Sequence, residues 1–311
     1  MRVLYWPRIQ LARRFIEAAA REFRDVELIV AETLDGVLAG IGTVEGIITP
    51  DIHGEDARRF ILALKSDGHG VKWLHVVTAG REGLDAVGIP PGIAVSGPDG
   101  AIAPTVAEHG MAMMLALKRK LFDIRLNQFL EAWDRSPAET VTSIEDQQML
   151  LIGYGAIGQA YARRAQAFGA IVTAVTRTPR PSPLADVRPL SDLEALLPAA
   201  DIVVLCIALT EQTRHIIDCG RLAAMKPSAI IVNSSRGTMI DTDALVEALA
   251  RGQIAGAAMD VTAPEPLPQG HPLWKFPNVF ISPHLGGSGS LASQRRLAAS
   301  VTQAIRQNLE G

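Results

Sequence analysis

The stretch Met149-Leu150-Leu151-Ile152-Gly153-Tyr154-Gly155-Ala156-Ile157-Gly158 decides how the rest of the chain is read. Four apolar residues without a polar interruption suit a strand buried on both faces of a parallel sheet. The Gly-x-Gly-x-x-Gly string then turns the chain into the helical pattern Ala156–Phe168. Gly153 permits the tight turn, Gly155 lets backbone approach a pyrophosphate, and Gly158 lets the helix pack closely on the strand. Ala156 and Ile157 head a helix whose free N–H groups face phosphate charge. Alone the string is a weak signal. Its strand–turn–helix setting makes it a dinucleotide-binding fingerprint.

The next strand, Ile171–Val175, tests which dinucleotide. An acidic residue about 20 positions on would hold the ribose diol of NAD. Thr176-Arg177-Thr178-Pro179-Arg180 stands there instead, and no Asp or Glu occurs between Gly158 and Asp186. Arg177 and Arg180 would attract a 2′-phosphate, with Thr176 and Thr178 as hydroxyl donors. The expectation is NADP(H) in preference to NAD(H), against the plainer reading of the arginines as a solvated loop.

Working outward, strands alternate with helices along nearly the whole chain. Downstream, Ile202–Leu209, Ala229–Asn233, Ala255–Met259 and Val279–Ser282 read as strands. Leu190–Leu197, Asp241–Arg251 (with Asp241 as N-cap) and Leu291–Leu309 read as helices. Upstream, Val3–Trp6, Glu27–Val30, Gly46–Ile48, Trp73–Val77 and Ile93–Val95 read as strands, and Gln10–Glu22 and Ala57–Lys65 as helices. Such alternation predicts α/β architecture with parallel sheets. Ser96–Gly100, rich in Gly and Pro, is a plausible boundary. A long helix is expected over Thr105–Leu121, its methionines packing the core. Asn127–Ser143 reads as a polar, irregular surface excursion with an exposed Trp133.

Bulk properties set outer bounds. At 311 residues there is room for two domains. The 30 basic and 33 acidic residues are interspersed, which argues against nucleic-acid partners and a polybasic membrane patch. The longest apolar run, Ile202–Leu209, is too short to span a bilayer. Met1–Pro7 reads as a strand and not as a signal peptide, so a cytoplasmic location is expected. Cys206 and Cys219 form no Cys-x-x-Cys pair, and no metal site is expected.

Three residues carry candidate chemistry. Arg236, Glu265 and His284 each follow a strand, and strand carboxyl ends border the ligand crevice of an open parallel sheet. Singly, each has a bland explanation: a surface charge, a turn residue between prolines, a structural histidine. Together they suit reduction of a 2-oxo acid. Arg236 offers a planar fork for carboxylate and carbonyl. His284 can give the carbonyl oxygen a proton as hydride arrives, and Glu265 can orient the imidazole and favour its protonated form.

These residues lie in blocks that resemble the D-isomer-specific 2-hydroxyacid dehydrogenases. The blocks are Gly153–Gly158, Met225-Lys226-Pro227 with Asn233–Gly237, Gly256–Val261 with Glu265-Pro266, and Pro272-Leu273-Trp274 with Pro277–Val279 and Pro283-His284. The resemblance implies a Rossmann nucleotide domain, residues 99–287, inserted into a flavodoxin-like substrate domain of residues 1–98 and 288–311. Both would be doubly wound parallel-sheet domains, with the Thr105–Leu121 helix crossing between them. It carries the family's catalytic Arg, Glu and His onto Arg236, Glu265 and His284, and its substrate-carboxylate loop onto Thr78, Ala79 and Gly80. It also implies that Asp260 holds the nicotinamide carboxamide with backbone help from Ala208 and Ser234, that Gly286 lies against the cofactor, and that homodimers form around Asn127–Ser143.

Where relatives have a ribose-binding acid this chain has Thr176, as in NADP-using glyoxylate and hydroxypyruvate reductases. Arg81 departs from the usual substrate loop. The C-terminal regulatory domain of many phosphoglycerate dehydrogenases is expected to be lacking. The leading expectation is an NADP-dependent reductase of small 2-oxo acids to D-2-hydroxy acids. The alternatives are an NAD-dependent D-2-hydroxyacid, phosphite or formate dehydrogenase, and a non-enzymatic dinucleotide sensor similar to the related corepressors.

Overall fold

The computed structural model describes residues 1–7 and 12–310. The chain divides into two compact units, Met1–Ile102 with Ser288–Gly311, and Ala103–Gly287. In chain order the first unit opens with β1 (Arg2–Tyr5), α1 (Arg13–Ala20), β2 (Glu27–Val30), α2 (Leu34–Gly40) and β3 (Gly46–Thr49). It continues with α3 (Gly54–Lys65), β4 (Trp73–Val76), α4 (Glu82–Val87) and β5 (Ala94–Ser96). The second unit opens with α5 (Ala103–Lys118), α6 (Leu121–Phe129), β6 (Gln148–Ile152), α7 (Ala156–Ala167), β7 (Ile171–Thr176) and β8 (Asp186–Pro189). Then come α8 (Leu193–Leu196), β9 (Ile202–Leu205), α9 (Cys219–Ala224), β10 (Ile230–Asn233), α10 (Thr242–Ala250), β11 (Gly256–Met259) and β12 (Val279–Ile281). The chain returns to the first unit as α11 (Leu291–Glu310).

Both sheets are parallel, with orders β2-β1-β3-β4-β5 and β12-β11-β10-β9-β6-β7-β8. The first is the flavodoxin-like order. The second is the Rossmann order with an added strand. Alternation of side chains along each strand feeds a core on both faces. On β9, Val203 and Leu205 join one cluster, and Ile202 and Val204 the other. On β3, Ile47 and Ile48 divide in the same way. In α11, Leu297, Val301 and Ile305 recur every four residues and are buried in the core that also holds Ile16 of α1. Fully burying each is worth roughly 2 kcal/mol.

Several expectations need correction. The strand expected over Ile202–Leu209 stops at Leu205, because Cys206 begins the loop at the point where the strand order reverses. The helix expected over Thr105–Leu121 ends at Lys118; Lys120, at φ 54°, breaks the backbone before α6. It lies whole within the second unit. Residues 127–129, expected to be irregular, finish α6, whose exposed side chains include a run of apolar ones. Helices α2, α4 and α9 and strand β8 were not legible. The short helices depend on side-chain capping by Thr33, Asp51 and Asp218, and β8 is an exposed edge without apolar alternation. Gln10 and Leu11, expected to begin the first helix, lie outside the described residues. No described helix is long and apolar enough to cross a membrane.

Candidate active site

The crevice of the second unit opens where the chain leaves β6 and β9 for opposite sides of the sheet. Gly153 leaves β6 at φ +106°, and a Cβ there would collide with the Cys206 carbonyl oxygen. A Cβ on Gly158 would collide with the Gly153 carbonyl oxygen. These two glycines let strand, turn and helix close on one another. Gly155 differs: its Cβ position has nothing within 4 Å. It is also the N-cap of α7 and makes no side-chain cap, so it leaves the first N–H groups of the helix without one. The turn, the vacant approach and the uncapped helix fit a pyrophosphate.

Thr176 ends β7 half-buried, and Arg177, Thr178 and Arg180 follow it exposed. Neither arginine forms a hydrogen bond or ion pair with a described residue. The segment folds back through Ser182, whose Oγ lies 2.7 Å from the Tyr154 hydroxyl and accepts from Leu184 N. A residue inside the glycine string thus braces the arginine loop. On the other side of the crevice, Thr213 Oγ1 donates to the Ala208 carbonyl at 2.8 Å and accepts from Thr210 N at 2.7 Å. Ser235 Oγ bridges to the Leu205 and Ile207 carbonyls. Ser234 is buried with its Oγ 2.7 Å from the Tyr161 hydroxyl; burial pushes that phenol well above its ordinary pKa, so it stays protonated.

Arg236, Glu265 and His284 follow β10, β11 and β12, three neighbouring strands. The structure joins two of them directly: His284 Nδ1 lies 2.7 Å from Glu265 Oε1. With the carboxylate ionised, Nδ1 donates and Nε2 remains for other chemistry. Both side chains keep about half their surface exposed. Arg236 is anchored within its own loop. Its Nη1 donates to the Ser235 carbonyl at 2.8 Å, and Asn233 Nδ2 holds the Arg236 carbonyl at 2.9 Å. A Cβ at Gly237 would collide with the Thr262 backbone, so the Arg236 loop packs hard against the Glu265 loop. Thr242 Oγ1 and Thr262 Oγ1 fasten the latter through the Ala263 and Pro264 carbonyls.

Asp260 is buried, and its two oxygens accept from Leu285 N and Gly286 N, each at 2.9 Å. Its own carbonyl takes the His284 N–H at 2.8 Å. His284 therefore sits at φ 56°, unusual for a residue with a Cβ, held there by Asp260. His109 of α5 completes the support, with Nε2 2.8 Å from Ser282 Oγ and 3.2 Å from Asp260 Oδ1. Nothing in the sequence singles out His109. Its partners are more than 150 positions away, and the apolar helix around it reads as core. Thr78, Ala79 and Gly80 lie in the first unit after β4 and line a cavity of about 410 Å³. Thr78 Oγ1 accepts from Asp51 N and donates to the Gly80 carbonyl, which fixes the loop. No group of three His, Cys, Asp or Glu among the described residues could hold a metal.

The model of the D-isomer specific 2-hydroxyacid dehydrogenase NAD binding domain matches residues 111–286. The chain belongs to that family. This dehydrogenase is 33% identical over 274 residues to a glyoxylate reductase of Thermofilum pendens, a match covering 84% of this chain and 80% of that one. It is 35% identical over 215 residues to a glyoxylate/hydroxypyruvate reductase B of Citrobacter koseri, covering 68% and 66%. Among solved structures, the TT0316 protein of Thermus thermophilus aligns with a TM-score of 0.78 at 33% identity, over 99% of this dehydrogenase and 97% of that chain. An NADPH-dependent glyoxylate/hydroxypyruvate reductase of Sinorhizobium meliloti, solved with citrate, aligns with a TM-score of 0.77 at 26% identity, over 99% and 94%.

Proposed function

We propose that this dehydrogenase reduces small 2-oxo acids, glyoxylate and hydroxypyruvate above all, to D-2-hydroxy acids with NADP(H) in preference to NAD(H). The observation that carries the reading is the 2.7 Å bond between His284 Nδ1 and Glu265. It leaves Nε2 as the group that donates a proton to the substrate's carbonyl oxygen and recovers it in reverse. Glu265 orients the ring through that hydrogen bond. Arg236 holds the substrate carboxylate and polarises the carbonyl. In the first unit, the backbone of Thr78, Ala79 and Gly80 offers donors of the kind that bind a carboxylate. The nicotinamide cofactor, when bound, supplies the hydride.

Gly153, Gly155, Ala156 and Ile157 cradle the pyrophosphate at the head of α7. Arg177 and Arg180, without partners of their own among the described residues, hold the 2′-phosphate with Thr176 and Thr178. Asp260 keeps lone pairs beyond its bonds to the 285–286 backbone; these accept the carboxamide, with Ala208, Ser234 and Gly286 lining the same position. We place the enzyme in the cytoplasm as a homodimer. The exposed apolar side chains of α6 and the turn after it, ending at Trp133, support the second point.

His284→Ala tests the reading. Turnover with glyoxylate should fall by about 10²–10⁴, while NADPH affinity, read by quenching of protein fluorescence, stays within about two-fold. Undiminished turnover would remove His284 as the acid.

A further inference from the structure

The amino-terminal edge of the seven-stranded sheet carries a second constellation, on the side away from the glycine turn. A cavity of about 370 Å³ lies there. It touches the residues that enter the strands: Gln147 before β6, Asp201 before β9, Ile230 of β10, Gly256 of β11 and Asn278 before β12. The glycine turn leaves the opposite end of β6, about 17 Å away for five extended residues.

Lys118, the last residue of α5, lines this cavity and is only 6% exposed. Its backbone is engaged, since its carbonyl accepts from Thr142 N. Its ammonium group has no hydrogen bond or ion pair with any described residue. The nearby carboxylate of Asp201 is already committed, accepting from Lys226 Nζ at 2.7 Å and from Gln148 N at 2.9 Å. In the same cavity Gln147 Oε1 is buried without a hydrogen-bond donor. Lys118 is thus almost wholly buried with its ammonium end left to the cavity, and Gln147 Oε1 is a buried acceptor without a donor, which folded proteins rarely leave unmet.

We propose that this cavity is a binding site for a small organic anion that also carries a hydrogen-bond donor. The anionic group accepts from Lys118 and the donor satisfies Gln147 Oε1. Leu117, Phe122 and Ile230 supply an apolar wall for the body between them. Phe122 is fixed for this by its ring contact with Phe280, centroids 4.7 Å apart. Lys120 adds a second positive charge at the lining, and Asp123 is the one carboxylate there besides Asp201 among the described residues. Burial lowers the pKa of the Lys118 amine from its ordinary value, Asp201 opposing and Lys226 reinforcing the effect, so a bound anion relieves a real desolvation cost. The site is separate from the dinucleotide crevice, and its occupancy does not depend on the reductase reading.

The test uses the whole protein and 4-hydroxybenzoate, which has a carboxylate, a hydroxyl donor and an apolar ring. Benzoate serves as the analogue without the donor. The probe should raise the thermal midpoint of the wild type and bind at one per chain by calorimetry, with benzoate roughly ten-fold weaker, as one lost hydrogen bond implies. Lys118→Met should abolish the shift and the heat, yet melt at or above the wild type without ligand, since it removes a partly desolvated charge. Gln147→Leu should erase the difference between the two probes. Absence of binding to the wild type, or equal binding by Lys118→Met, would overturn the proposal. So would a Lys118→Met protein that loses only its self-association, which would assign the cavity to a second copy of the chain.

Discussion

His284 shows how much one residue can carry and how little of it is visible in isolation. Its neighbours Pro283 and Leu285 say nothing of an acid, yet its place after the last strand of the sheet brings its ring onto Glu265. Arg177 and Arg180 make the cofactor claim testable at the same scale. Replacing either by Ala should raise the NADPH KM about ten-fold, the worth of one charge-assisted contact, while the NADH KM stays constant. Parallel loss for both cofactors would mean that the arginines serve the loop and not the 2′-phosphate. Arg236, Glu265 and His284 stand out in the sequence because their chemistry is distinctive at strand ends. Asn233, Thr213, Ser182 and His109 do not, because each works by holding another residue's backbone or side chain, and nothing local marks such a task.

At the scale of elements, the parallel strands were legible from uninterrupted apolar runs, and the helices from their periodic ones. The Asp241 cap was legible too, but the capping by Thr33, Asp51 and Asp218 and the edge strand β8 were not. Strand β4 shows a further interaction hidden from sequence. His75 is buried between β5 and α11, Nδ1 2.9 Å from Ser96 Oγ and Nε2 3.1 Å from Ser300 Oγ. Burial pushes its pKa down to about 4, with Asp99 pulling the other way. The folded protein therefore keeps His75 neutral at pH values where the unfolded chain, with an ordinary imidazole near 6.5, takes up a proton. Its contribution is fully present above pH 6.5 and is lost as pH falls from there towards 4. The loss is about 3 kcal/mol over that window. Urea unfolding at about pH 7 and about pH 4.5, on either side of most of that window, should show the decline, and His75→Gln should flatten it. An equal decline in both proteins would place the acid sensitivity elsewhere.

The molecule as a whole consists of two parallel-sheet units built on different strand orders, and each order follows from a reversal of winding that the sequence pattern alone does not locate. Over residues 127–143 the sequence pattern predicts a polar excursion. The structure has there the end of a helix without a buried residue, which bears Leu126 and Phe129 and is followed by Leu130 and a Trp133 that is 94% exposed. A run of exposed apolar side chains of this kind asks for a partner. Sedimentation velocity should show a dimer, and the double substitution Phe129→Glu with Trp133→Glu a monomer. A monomeric wild type at micromolar concentration would contradict this.

The proposed reduction joins cofactor, substrate and the His284–Glu265 pair, and the initial rate of NADPH oxidation across a panel of 2-oxo acids decides whether it takes place. Glyoxylate and hydroxypyruvate should give the highest kcat/KM, NADH should be the poorer donor with each, and the product should be the D-2-hydroxy acid where the carbon is chiral. A clear preference for NADH, or no oxidation of NADPH with any 2-oxo acid, would contradict the proposal.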